Sequence, residues 1–250
     1  MTVSPLRIST AMALLLLSRM SAQLGSAPIE FEVAIIHPAS TARITSGASS
    51  STRITNDRFE VRGFTLKALI KMAYRIEDYQ ILGGPKWFDS DPYDIDAKSP
   101  HGGTPQQIPQ RLQSLLIDRF RLLLHHEARN LPAYALATTK DGPKIKRSEA
   151  GAQTGFGWGP SMIRSQGASM RDFAERLAEA LHHPVFDQTG LGGLFAIDLK
   201  FAPVDPDPSD NISAPSIFEA LQEQLGLKLS ATKGQVDVIV IDGAEKPASN

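Results

Sequence analysis

The 250-residue sequence contains no cysteine, which excludes both a disulfide and a lipid-modified cysteine. If such a chain is exported, its stability must come from a hydrophobic core instead of covalent staples. Excess charge of either sign is also missing: 26 basic residues face 27 acidic ones, for a net charge of −1. That balance gives no strong field toward nucleic acid or an anionic membrane surface, so nucleic acid is not an expected partner. No apolar run reaches the ~20 residues needed to cross a bilayer as a helix. The motifs of common hydrolases are missing as well, with no Gly-x-Ser-x-Gly, Ser-x-x-Lys or His-Glu-x-x-His in the chain.

What the N-terminus does contain is Arg7, an apolar run from Ala11 to Leu17, and small residues that offer cleavage after Ala22 or Ala27. This is the layout of a secretory signal peptide, assigned to residues 1–27. The expected protein is therefore exported, periplasmic or secreted, with no transmembrane segment once the signal is removed.

Beyond the signal, the second half reads as a diverged copy of the first. R-F-E-V-R-G-F-T-L-K-A-L-I from Arg58 aligns at a constant offset with M-I-R-S-Q-G-A-S-M-R-D-F-A from Met162, so that Gly63 meets Gly167 and Thr65 meets Ser169. Y-D-I-D-A-K from Tyr93 then matches F-A-I-D-L-K from Phe195, and Leu112, Gln113 and Leu116 answer Leu221, Gln222 and Leu225.

Each copy predicts the same elements. Thr65 caps a helix with apolar Leu66, Leu69, Ile70, Ala73 and Tyr74 on one face; Ser169 caps its counterpart with Met170, Phe173, Ala174, Leu177 and Leu181. Capping boxes at Thr104–Gln107 and Ser216–Glu219 open a second helix in each copy. Gly226 supplies a left-handed cap that the first copy lacks, so the first copy must end that helix differently. Each unit is expected to finish with two strands, Phe120 to Glu127 with Ala133 to Thr139, and Leu227 to Ala231 with Val236 to Ile241.

The expected fold is α+β, two tandem duplicated modules with two helices each on a small mixed sheet. The first spans 28–145, with an N-terminal strand at Phe31 to Ile36 and a Ser/Thr-rich loop. A linker follows at 146–160, and the second module spans 161–250 with a Pro/Asp-rich insertion at 202–215.

Several long motifs carry a resemblance to a known family. T-L-K-A-L-I-K-M-A-Y-R-I-E-D-Y-Q-I-L-G-G-P-K-W-F-D-S-D-P-Y-D-I-D-A-K, D-R-F-R-L-L-L-H-H-E-A-R-N-L-P-A-Y-A-L, D-Q-T-G-L-G-G-L-F and E-A-L-Q-E-Q-L-G-L-K-L occur in that order. Together they resemble a family of exported soil-bacterial proteins of unknown function, multiplied in acidobacterial genomes and sometimes fused to antibiotic-sensor-type membrane metallopeptidases. The resemblance supplies no catalytic residues. Each half is more distantly similar to the short N-terminal module of secretins and TonB-dependent receptors, which implies an envelope interaction module and leaves function open.

The loop Pro85, Lys86, Trp87 and Phe88 is the expected binding surface, because a proline and two aromatics beside Gly83 and Gly84 present a rigid contact. A second outcome is that Trp87 or Phe88 folds back onto its own core. His125 and His126 invite a metal, but neighbours on a strand point to opposite faces and do not easily share an ion. Asp89, Asp91, Asp94 and Asp96 lack the glycine and distal glutamate of a calcium loop, and Asp94 and Asp96 read as the solvent face of a strand. Asp187, Thr189 and Gly190 read as a turn. No cofactor or metal is expected.

The expected function is a non-enzymatic interaction or ligand-binding protein of the cell envelope, with an unidentified envelope protein or ligand as partner. The alternatives are a hydrolase or metal-dependent enzyme with a site between the modules, testable at His125, His126, Asp94 and Asp96, and a sensor-type ectodomain acting with a separate membrane partner.

Overall fold

Alternation and helical periodicity translate directly into elements in the computed structural model, which describes residues 29–39, 50–100, 104–149, 151–203 and 214–248. The expected signal peptide, most of the Ser/Thr-rich loop and most of the 202–215 insertion lie outside the described residues. The first half contains β1 (Val33–Pro38), β2 (Ser51–Ile54), β3 (Arg58–Thr65), α1 (Leu66–Tyr74), β4 (Ile81–Gly83), β5 (Pro92–Lys98), α2 (Ile108–Arg119) and β6 (Leu123–Thr138). The second contains β7 (Lys146–Arg147), β8 (Gly157–Gly159), β9 (Met162–Ala168), α3 (Met170–Leu181), β10 (Val185–Asp187), β11 (Phe195–Lys200), α4 (Ile217–Ala220) with a π turn at Leu221–Leu225, and β12 (Leu227–Gly243). The fold is α+β, and one order of elements occurs twice.

Helix boundaries follow the predicted chemistry. Thr65 accepts from the Ala68 N–H at 3.3 Å, and Ser169 accepts from the Asp172 N–H at 3.1 Å, each satisfying a donor that the first helical turn leaves free. Gly226 takes the left-handed conformation (φ 63°), whereas α2 ends through Phe120 and a left-handed Arg121 (φ 49°). A side chain at 226 is further excluded because its Cβ would lie 2.4 Å from the Gly142 carbonyl oxygen.

The strands form three four-stranded sheets. Two are antiparallel throughout, ordered β1-β5-β3-β2 and β7-β11-β9-β8; the third is mixed and ordered β10-β6-β12-β4. Residues 146–160, expected as a linker, carry β7 and β8 of the second outer sheet. The expected pairs of terminal strands are instead two single strands, β6 of 16 residues and β12 of 17, running antiparallel to each other along nearly their whole length. Gly234 in mid-strand is a point of close approach, since a Cβ there would lie 2.2 Å from the Phe186 ring.

The long strands are exchanged between the halves. β4 pairs in parallel with β12, and β10 pairs in parallel with β6. The cores follow the strands. Ile239 and Ile241 of β12 pack with Phe59, Leu69, Ile95, Leu112 and Phe120 of the first half, and Leu136 of β6 packs with Phe173, Leu177, Ile197 and Leu221 of the second. Among the described residues, Arg111 is a charged side chain caught in this packing: it is only 4% exposed, donates to Gln107 Oε1 at 2.8 Å, and has no described partner for Nε or Nη1.

Candidate functional site

The Pro85–Phe88 loop divides between surface and core. Phe88 is buried, and its backbone carbonyl accepts from the Lys67 N–H at 3.0 Å, tying the loop to the start of α1. Trp87 is half-buried, meeting Tyr93 edge-on at 6.3 Å between ring centroids. Above it the Lys246 ammonium lies 5.7 Å from the indole centroid and pairs with Asp91 at 2.7 Å. Trp87 is thus held as a lid on its own core, a cation–π sandwich closing the outer side. Lys86 is exposed and Pro85 half-buried.

The histidines separate as strand alternation requires. His125 Nδ1 lies 2.9 Å from Asp242 and His126 Nδ1 lies 3.2 Å from Asp237, both aspartates on β12. Asp94 accepts from the Gly63 N–H at 2.8 Å, and Asp96 pairs with Arg58 at 3.0 Å, both on the first outer sheet. The four side chains sit on two different sheets with separate partners. Among the described residues no group of three or more His, Asp or Glu is arranged to hold a metal ion. Asp187 closes the expected turn, accepting from the Thr189 N–H at 2.9 Å and hydroxyl at 2.7 Å.

The residues that the strand exchange does bring together are charged groups on α1, α3 and the segments after them. Lys71 of α1 pairs with Glu77 at 3.4 Å and with Asp78 at 3.3 Å. Across from it Arg176 pairs with Glu179 one turn along α3. Lys71, Glu77, Arg176 and Glu179 border a cleft of about 580 Å³ between the halves, floored by Ile163, Ala180 and Phe201. A smaller cavity of about 400 Å³ adjoins it at Glu77 and Glu179, lined also by Arg75, Tyr79 and Glu175.

Electrostatics in and beside the cleft follow from partial burial of neighbouring charges. Burial pushes the Glu179 carboxyl above its ordinary range; Arg176 opposes the rise, while Glu77 and Glu175 reinforce it. Tyr79 is pushed up to about 12 by burial, with Glu77, Glu179 and Glu175 adding to it. Burial also raises Asp78, but Lys71 and Lys67 outweigh it and hold the carboxyl below its usual value. The cleft therefore offers paired cations and carboxylates over an apolar floor, suited to grip a ligand with both polar and apolar parts.

Sequence reasoning missed this site. Lys71, Arg176 and Glu179 look like the solvated faces of two amphipathic helices and Glu77 like the loop after the first, and only the exchange of β6 and β12 sets them against each other.

Among the described residues no helix is long and apolar enough to cross a membrane. No curated protein and no solved structure matches the chain. A family match does cover most of it, running from Lys67 in α1 through Ala244 just beyond β12 and so taking in both helical layers and both exchanged strands. The chain belongs to the DUF3738 family, proteins of unknown function.

Proposed function

We propose that this is an exported, non-enzymatic binding protein of the cell envelope, and that its ligand or partner enters the cleft between the two halves. The observation that carries the reading is the cleft itself: about 580 Å³, bordered by Lys71 and Glu77 from one half and Arg176 and Glu179 from the other. Concave sites with an apolar floor and a few convergent charges are where ligands bind. A ligand seated there touches both halves and is read by groups that neither half presents alone.

The test fills the cleft. Ala180 lines it and is half-exposed, so Ala180→Trp occupies the space from a helix position without entering the core. Fractionated envelope extract, separated into peptides, glycan fragments and lipids, is screened by thermal melting against both proteins. The reading requires a fraction that raises the melting temperature of the wild type and leaves Ala180→Trp unmoved. An equal shift in both proteins, or turnover of a peptide or ester that a single substitution abolishes, would show it to be wrong.

A further inference from the structure

The two outer sheets differ at one edge. In the first half β1 runs beside all of β5, with Val33 opposite Lys98, Ala34 opposite Ala97 and Ile35 opposite Asp96. In the second half β7 covers only Phe195 and Ala196 of β11. Beyond that the chain leaves the sheet, because the Lys144 N–H donates to the Leu225 carbonyl at 2.9 Å instead of continuing along β11.

The free edge has a definite length. On its inner side β11 bonds to β9 in the register of the Phe201 N–H to Ser161 carbonyl bond at 3.0 Å, so alternate residues turn their main-chain groups outward: Ala196, Asp198 and Lys200. Ala196 faces Lys146 of β7. Lys200 is clamped by the Gln224 side-chain amide, which accepts from its N–H at 3.0 Å and donates to its carbonyl at 2.7 Å, the two bonds a neighbouring strand would make. Asp198 is left with an outward N–H and C=O and, among the described residues, no strand beside it.

A cavity of about 700 Å³ opens at this gap, with Ile145 and Leu225 supplying apolar wall. Lys144, Lys146 and Arg147 border it, and none has a carboxylate partner among the described residues. Lys144 Nζ donates to the Glu223 carbonyl at 3.0 Å, and the Arg147 guanidinium stacks over Phe195 at 5.5 Å. Two carboxylates that would repel an anion also border the cavity: Asp198 is engaged by Arg164 at 3.1 Å, and Glu149 is exposed, leaving Lys144, Lys146 and Arg147 in excess over it.

We propose that an extended segment of a partner protein, carrying acidic side chains, adds to the free edge of β11 at Asp198 and pairs its carboxylates with Lys144, Lys146 and Arg147. An unpaired strand edge takes an extended segment by main-chain hydrogen bonds, and side-chain contacts select it. The first half shows the geometry, since Val33–Ile35 of β1 hold the corresponding place beside Asp96–Lys98. Because the main chain contributes a single residue pair, selection rests on charge and weakens with added salt. This surface shares no residue with the cleft between the halves and stands independently of it.

The experiment is fluorescence polarisation on the mature chain with labelled peptides of alternating valine and glutamate, the same peptides with lysine for glutamate, and the acidic peptide with a central proline. The acidic peptide binds at least about tenfold tighter than the lysine and proline versions, and the combined Lys144→Gln, Lys146→Gln, Arg147→Gln variant loses about tenfold in affinity at an unchanged melting temperature. If that variant melts early, Lys146→Gln alone, at an exposed position, takes its place and must weaken binding. Absent binding, equal binding of the acidic and lysine peptides, undiminished binding of the proline peptide, or indifference to the substitutions overturns the proposal. Binding that appears only after Asp205, Asp207 and Asp210 are changed to Asn makes the chain's own acidic segment the occupant. A concentration-dependent dimer lost in the same lysine and arginine variant makes it a second copy, and either result also overturns the partner proposal.

Discussion

Leu136 lies on β6, the last strand of the first set of elements, yet its side chain is fully buried among Phe173, Leu177 and Leu221 of the second core. Leu136→Ala removes the buried isopropyl end of the side chain from a site walled by other elements, and such truncations cost about 3 kcal/mol through lost transfer energy and an uncollapsed cavity. For a chain of this size that corresponds to a fall of roughly 6–12 °C in melting temperature. The strand exchange dictates the form of the change. β6 and β12 are common to the central sheet, and each half's core includes residues from the other's long strand, so both cores lose their support together. Differential scanning calorimetry of the wild type is expected to show one transition with matching calorimetric and van't Hoff enthalpies, and Leu136→Ala to move that whole transition. Two resolved transitions, with the substitution shifting only one, would refute the interlocked reading of the cores.

Three further outcomes follow from particular side chains. Trp87→Ala lowers stability by about 2 kcal/mol, since the indole covers Tyr93 and carries the Lys246 contact; an unchanged urea midpoint would mean the ring is free for recognition. Arg111→Met raises stability by about 1 kcal/mol or more, because it replaces a buried guanidinium with two unbonded nitrogens by an apolar chain of similar length, and a lower urea midpoint contradicts this. Glu179 has a carboxyl pKa raised in the fold, so its charged form is disfavoured there: the penalty is full above the raised value and disappears as pH falls through it toward the unfolded value. The stability difference between wild type and Glu179→Gln should therefore narrow as pH is lowered from neutral through the carboxylate range, and a difference constant with pH argues against it.

What the sequence makes legible is what each segment decides locally. The faces of α1 and α3, the caps at Thr65 and Ser169, the left-handed Gly226 and the Asp187 turn are all set by neighbours within about one helical turn. The histidines were legible for the same reason, since strand alternation separates His125 and His126 whatever lies opposite. Partner choice is not local. The pattern from Leu123 to Thr138 fits two short strands as well as one long one, and what makes it one is β12, far later in the chain, which pairs Leu227 with Thr138 at its near end and Gly243 with Leu123 at its far end. The cleft inherits that blindness, because its charges meet only through this pairing. Trp87 is an intermediate case: its aromatic character marked it, but the roof over it comes from Lys246 at the other end of the sequence.

The exchange of long strands also governs the order in which the chain can become a protein. β4 acquires its neighbour only when Ile239–Ile241 exist, and Gln80 reaches across 157 positions to donate to the Asp237 carbonyl. A chain emerging from its N-terminus therefore holds Phe59, Leu69 and Ile95 without their lid until almost the last residue of β12 has been made. Contacts of such separation are slow to form and leave apolar surface open while they wait. Neither half has a moment of early safety, so the waiting chain requires shelter or swift passage until its final strand arrives.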